Sequence, residues 1–344
     1  MTTLDPDLDA LIRAMPKAEL HVHLEGSVRP ATLLTLARRH GVDLGCQDEA
    51  GLRKLYRFRD FRHFIELYKL ISEAMRDPED FVLIIAELGR DAAAQGTRYV
   101  ETTFSIATHV RNKGLPADEI LDAIGAAADA TRRETGVEIR FILDHVRMAP
   151  PDECRQVAEW CVAGRDRGVV ALGLGGFEPE RPASLFAEPI RWAQAQGVPF
   201  VPHAGEAVGP EGVWDALQFD PPRIGHGFRA ADDPALVAAL RDRGVVLEVC
   251  PTSNVCTASV PGLAAHPLRA LWDAGVPISL NSDDPPMFNT TLVDEYRVAA
   301  THFGFTPAEL AQVSRTAIGA ALLPAAERAR LVAEFDTELR RLGL

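Results

Sequence analysis

No Cys-x-x-Cys pair occurs in this sequence, and its five cysteines, Cys46, Cys154, Cys161, Cys250 and Cys256, are odd in number and scattered. That pattern argues against a zinc ribbon or a disulfide framework and fits a reducing, cytoplasmic setting. No apolar run is long enough to span a bilayer. The first ten residues lack the basic start and apolar core of a signal segment. Basic charge is also short: 36 Lys and Arg against 49 Asp and Glu leave a formal net charge of −13. Such a balance disfavours a long nucleic-acid footprint, yet leaves a small-molecule cleft open. No repeat, low-complexity tract or Gly/Ser linker divides the chain, so residues 1–344 are expected to form one domain. The expected partner is a small molecule, with no nucleic acid and no membrane.

What is present is a regular alternation. Short apolar, β-rich runs occur at 18–24, 97–104, 137–143, 169–174, 198–203, 223–226, 245–249 and 276–281. Between them lie stretches of helical spacing, such as 116–134 and 151–166. Strands separated by helices imply βαβ units and a parallel sheet. Eight of them suggest an α/β fold closed as a (β/α)₈ (TIM) barrel, with an open doubly wound sheet as the alternative. The first connection, 25–96, is too long for one crossover and reads as a helical insertion. In it Phe58, Phe61, Phe64 and Tyr68 recur at helical spacing. They suit either a helix packed on the barrel or an aromatic cover over a site.

Four motifs sit on or at the ends of these strands. His21-Val-His23 lies in the first; alternate residues of a strand face one side, so the two imidazoles point together. His203-Ala-Gly-Glu206 ends the fifth, Arg223-Ile-Gly-His226 the sixth, and Asn281-Ser-Asp283-Asp284 the eighth. In a barrel these ends gather at the catalytic face. Each motif alone is weak, since histidines near strand ends are often merely hydrogen-bonded. Together they offer three imidazoles and a carboxylate, a set that suits Zn²⁺ first and Fe²⁺, Mn²⁺ or Co²⁺ next. A water on such an ion becomes a nucleophile near neutral pH. Glu206 and His226 remain to move protons, with His226 alternatively a fourth ligand. The fourth-strand region, 169–178, has no Lys to bridge two metals, so one ion is expected.

These residues resemble the adenosine/adenine deaminase family of the amidohydrolase superfamily, over nearly the whole chain. The resemblance runs from Met15-Pro-Lys-Ala-Glu-Leu-His-Val-His-Leu-Glu-Gly-Ser27 through Tyr99-Val-Glu101 and the His203 and Arg223 motifs. It continues through Glu248-Val-Cys-Pro-Thr-Ser-Asn254 and Ser279-Leu-Asn-Ser-Asp-Asp-Pro285. It implies His21, His23, His203 and Asp283 as metal ligands and Glu206 as the acid for purine N1. It implies His226, assisted by Asp283, as the group that orients or deprotonates the water. Substrate contacts fall on His23, Glu25, Gly176 (N3) and Asp284 (N7). The implied reaction is hydrolytic loss of the 6-amino group of an adenine-type purine, with adenosine or deoxyadenosine the first expectation.

The departures lie away from this chemistry. Glu25 stands where nucleoside deaminases carry an Asp that reaches the ribose 5′-hydroxyl. On the fourth strand Gly173 and Phe177 replace two carboxylates, and Thr102-Thr103 lacks an Arg often found after the second-strand Glu. Phe177, with room expected at Gly173 and Gly175, could admit a larger N9 substituent; alternatively Phe177 only packs beside the barrel. Aminodeoxyfutalosine, an adenosine-like nucleoside carrying a benzoate, is therefore the second expected substrate and free adenine the third. Another hydrolase of the same scaffold would have no special need of Glu206 or Asp284, and a non-catalytic binding protein none for the whole set.

Overall fold

The computed structural model describes residues 4–344. Its single sheet runs in sequence order, all parallel: β1 Lys17–His23, β2 Thr97–Phe104, β3 Glu138–Val146, β4 Val169–Gly175, β5 Phe200–Ala204, β6 Arg223–His226, β7 Val246–Val249 and β8 Ile278–Leu280. Seven neighbouring pairs form parallel ladders. The eighth contact closes the barrel just beyond β8, where Asp283 bridges Val22 of β1. The (β/α)₈ expectation is met, and the open sheet is excluded by that closure.

The first strand shows why the barrel forms. Lys17, Glu19, His21 and His23 alternate with Ala18, Leu20 and Val22. On an ordinary surface strand the polar set would face water. Here Glu19 and His21 are 4% and 2% exposed, because the polar face lines the barrel interior. The apolar set points outward, Ala18 and Leu20 packing with Ile318, Leu331 and Phe335 of the two C-terminal helices. Outer helices follow the same logic. Ala117–Thr135 buries Ile120, Leu121, Ile124, Ala127, Ala128 and Thr131 on one face and ends at Gly136 with φ of 76°. The expected helix at 151–166 stops at Ala163, and a 3₁₀ turn, Arg165–Arg167, carries the chain into β4.

The long first connection is helical: Pro30–His40, Glu49–Leu55, Phe61–Ser72 and Pro78–Ala94. Both readings of its aromatics apply. Phe64 packs edge-on against Phe58 and obliquely against Phe288, while Phe61, Phe64 and Tyr68 also wall the central cavity. Phe58 precedes the helix, which starts at an Asp60 cap on the His63 N–H.

Inside the barrel a polar chain climbs to the catalytic face. Tyr99 donates to Glu101 at 2.7 Å, and Arg223 bridges Glu101 and Glu248. Glu248 in turn holds His21 Nδ1 at 2.9 Å. All five side chains are buried. Breaking a buried ion network by removing one partner strands the others without water. Arg223→Met is expected to lower unfolding stability by about 3–5 kcal/mol, because two carboxylates lose their cation. Urea denaturation followed by circular dichroism checks this; a loss below about 1 kcal/mol would show the network to be dispensable.

Candidate active site

The closing seam also builds the site. His23 N–H donates to Asp283 O at 2.9 Å and Asp283 N–H to His21 O at 3.1 Å. Asn281 Oδ1 accepts from the N–H groups of Leu20 and His21. Ser282 is held by Glu19. The strand bearing two histidines is thereby stitched to the segment bearing two aspartates. Asp283 adopts a left-handed backbone, φ 66°, as does His226, φ 58°. Non-glycine residues rarely take that region, and here the turn aims both side chains inward.

The expected groups converge. Asp283 Oδ1 lies 3.5 Å from His21 Nε2 and 3.2 Å from His23 Nε2, and His23 Nε2 lies 3.1 Å from His203 Nε2. Candidate ligand atoms of His21, His23 and His203 all fall within 4.8 Å of one another, as do those of His21, His226 and Asp283. His21 Nε2 is buried without a hydrogen-bond partner. Two imidazole nitrogens 3.1 Å apart can share at most one proton, and an unpartnered nitrogen beside them asks for a cation. The set therefore fits a divalent metal by donor chemistry and spacing. His226 Nε2 stands 3.6 Å from Glu206 and 3.9 Å from Asp283, at the edge of this group. From there it can serve as a further ligand or as a proton handler.

Electrostatics divide the acids into two kinds. Asp283 is buried, which opposes its charge, but the His21 and His23 imidazoles beside it hold its carboxyl well below the usual range. Burial and the nearby Asp283 charge push Glu206 well above it, and the same causes push Asp284 up. Burial keeps His226 neutral, lowering its pKa to about 3. Both Asp284 oxygens are buried without partners. They fit because residue 26 is glycine: a Cβ there would stand 1.6 Å from Asp284 Oδ1.

Several positioning residues sit in motifs whose individual roles spacing alone does not define. From the Glu248 motif, Glu248 orients His21, Ser253 donates to Asp283 Oδ2 at 2.6 Å, and Asn254 contacts His226 Nδ1 at 3.2 Å. Glu178 accepts from the N–H groups of Gly205, Glu206, Ala207 and Val208 and so fixes the turn that carries Glu206. Arg147 reaches His203 O at 2.6 Å. Only the signature segment around 248–254 could have pointed to the first three; Glu178 keeps the last acid of the fourth-strand segment whose other two are replaced by Gly173 and Phe177, and no local signal marks Arg147.

A cavity of about 500 Å³ opens from this cluster, and Glu206, His226, Asp283, Asp284 and Gly176 line it. Phe177 also lines it, its ring 6.4 Å from that of Phe61, so it does more than pack beside the barrel. Glu25 is placed otherwise. It is 1% exposed, accepts from Ser105 N–H at 3.1 Å and Tyr68 hydroxyl at 3.2 Å, and meets His109 at 3.0 Å. It does not line the cavity. The room expected at Gly173 and Gly175 is filled as well, because Asp144 of β3 lays its carboxylate over both glycines. Beyond the candidate metal-ligand cluster the wall is apolar, with Phe61, Phe64, Ile65 and Met148, and Lys69, Glu73 and Arg111 also line the cavity.

The turn held by Glu178 yields a test. Glu178→Ala frees four N–H groups and lets Glu206 drift; misplacement on the order of 1 Å costs about a hundredfold. Turnover of the deamination expected above should fall by about that factor, with bound metal unchanged. Loss of metal together with turnover would instead make Glu178 a general scaffold residue.

Comparison with known proteins agrees with this geometry. A family model described as adenosine deaminase matches residues 16–338. An aminodeoxyfutalosine deaminase of Streptomyces coelicolor is 40% identical over 334 residues, covering 96% of this chain and 86% of that protein. An adenine deaminase of Sinorhizobium medicae is 37% identical over 320 residues, covering 93% and 98%. Among solved structures, an amidohydrolase of Burkholderia ambifaria with bound Zn superposes with a TM-score of 0.91 at 29% identity, covering 99% and 95%. The chain, a hydrolytic deaminase on a (β/α)₈ barrel, belongs to the adenosine deaminase family.

Proposed function

We propose that this enzyme removes the 6-amino group of an adenosine-like nucleoside carrying an aromatic acid, with aminodeoxyfutalosine as the substrate. The observation that carries the reading is the cavity. At about 500 Å³ it is of the size that holds drug-sized ligands and exceeds what a bare purine fills. It leads from the proton-transfer groups along an aromatic wall to a rim with Lys69, Glu73 and Arg111, the last also paired with Glu153. An aryl carboxylate on the sugar side meets a matching surface there. The Streptomyces relative with that activity in its name supports the choice.

In this reading His21, His23, His203 and Asp283 hold one Zn²⁺. When bound, the ion supplies Lewis acidity that brings a water's pKa towards neutrality. Glu206, kept protonated by burial, gives its proton to purine N1 and makes C6 electrophilic. Asp284, protonated for the same reason, donates to N7, and the Gly176 N–H donates to N3. With Asn254 Nδ2 donating to Nδ1, the neutral His226 carries its proton on Nε2 and orients the attacking oxygen. Asp283, the ionised carboxylate beside it, accepts the water's proton. Asp283 passes that proton to the 6-amino group, the C6–N bond breaks, ammonia leaves, and the C6 hydroxyl proton returns to Glu206 as the 6-oxo purine forms.

Free adenine is the second reading, favoured by the placement of Glu25. Its carboxylate is committed to His109, Tyr68 and Ser105, so no acid at that position waits for a ribose 5′-hydroxyl. That placement disfavours adenosine, the substrate first expected, and adenine deaminases are among the relatives.

A substrate panel followed by ammonia release decides between them. Aminodeoxyfutalosine should show kcat/KM at least about tenfold above adenine, adenosine and deoxyadenosine, a gap equal to one strong recognition contact; cytidine should be inert. Adenine as the best substrate would overturn the nucleoside reading. Metal analysis should find about one divalent ion per chain, and its removal by chelation should abolish turnover. Glu206→Gln should retain metal and substrate but lose about 10²–10⁴-fold in kcat; full activity would remove Glu206 as the acid.

A further inference from the structure

One carboxylate in the cavity has no part in the reaction just described. Asp144, near the end of β3, is 2% exposed and lines the cavity, and its Oδ1 is buried with no hydrogen-bond partner. Burial pushes its pKa up to about 7, so the fold bears a cost for holding it. No donor among the described residues offsets that cost: the nearby Arg147 directs its terminal N–H groups to Arg181 O and His203 O instead.

The neighbouring strand is cut to fit this side chain. Asp144 stands beside Gly173 in the β3–β4 ladder, and Val146 beside Gly175. A Cβ on Gly173 would come within 2.6 Å of Oδ1, and one on Gly175 within 2.5 Å of Oδ2. Neither glycine has a positive φ, so space rather than backbone conformation is what these positions supply. The next residue, Gly176, lines the cavity and is the one whose N–H the functional reading above assigns to purine N3. In a purine, N3 and N9 are bonded to the same carbon, so a substituent on N9 lies along this wall.

We propose that Asp144 is a specificity-determining residue that accepts hydrogen bonds from the sugar hydroxyls of the nucleoside. The proposal rests on the nucleoside reading above. A buried acceptor with no protein partner favours a ligand that brings a hydroxyl and penalises one that does not. The carboxylate absent from β4 at Gly173 is thus supplied from β3, in the space the glycines leave.

The test compares the metal-loaded wild type with Asp144→Asn and Gly173→Ala. Substrates are aminodeoxyfutalosine, adenosine, 2′-deoxyadenosine, 3′-deoxyadenosine and adenine. The wild type should prefer adenosine over at least one deoxy analogue by about 10–100-fold in kcat/KM, as expected for a hydrogen bond to a charged group. Asp144→Asn should reduce that preference to below about threefold and lower kcat/KM for the nucleosides mainly through KM. Turnover of adenine, however slow, and metal content should not change. Its melting temperature should rise, since a buried unpaired carboxylate is removed. Gly173→Ala, which displaces the carboxylate without deleting it, should reproduce the loss of preference. Nucleoside turnover with the hydroxyl preference intact in Asp144→Asn would overturn the role of Asp144 alone. Equal losses on adenine, or a lowered melting temperature with lost metal, would make it structural and overturn the proposal. Wild type active on adenine but on no nucleoside would sink the functional reading itself, and the sugar contact with it.

Discussion

The site depends on the short seam between β1 and the segment after β8. Two backbone hydrogen bonds between His21, His23 and Asp283 close the barrel, and the same three residues supply most of the candidate metal-binding set. Closure and ligand geometry are therefore one constraint. The backbone of Asp283 is turned into the left-handed region at this point, which a packed barrel can hold and an open edge could not. Glu19 and Asn281 reinforce the seam from inside by taking up N–H groups that a regular ladder would have paired.

Burial then does two opposite things to carboxyl groups a few ångströms apart. Where imidazoles reach the oxygens, as at Asp283, the charged form survives. At Glu206, which has only the neutral His226 beside it, and at Asp284, desolvation and the charge of Asp283 keep the proton on. One ionised acid and two protonated ones are what the proposed mechanism uses, since N1 and N7 of a purine are acceptors and the water must lose a proton. The division comes from placement rather than residue type. It also explains why the supporting groups matter: Ser253, Glu248 and Glu178 hold the orientations on which the division rests.

On the substrate side the chain has rearranged its polar groups without touching the reaction. Glu25 is drawn into a buried cluster with His109 and Tyr68, β4 gives up bulk at Gly173 and Gly175, and β3 fills that space with Asp144. The aromatic helix Phe61–Ser72 supplies a wall for whatever extends beyond the purine.

Much of this was legible without coordinates, for physical reasons. Strands and helices repeat with distinct periods, so the eight-fold alternation and the shared direction of His21 and His23 follow from residue order. The motifs sit at strand ends, and parallel barrels bring strand ends together. What the order of residues could not express is the space between neighbouring strands. The glycines of β4 read as empty room, and only the register of β3 against β4 shows that Asp144 occupies it. Glu25 reads as a substrate contact until the helices that enclose it are folded over it. The chemistry was written locally, in residue types and their spacing, whereas the shape of the substrate's far end was decided by segments distant in sequence meeting across the barrel mouth.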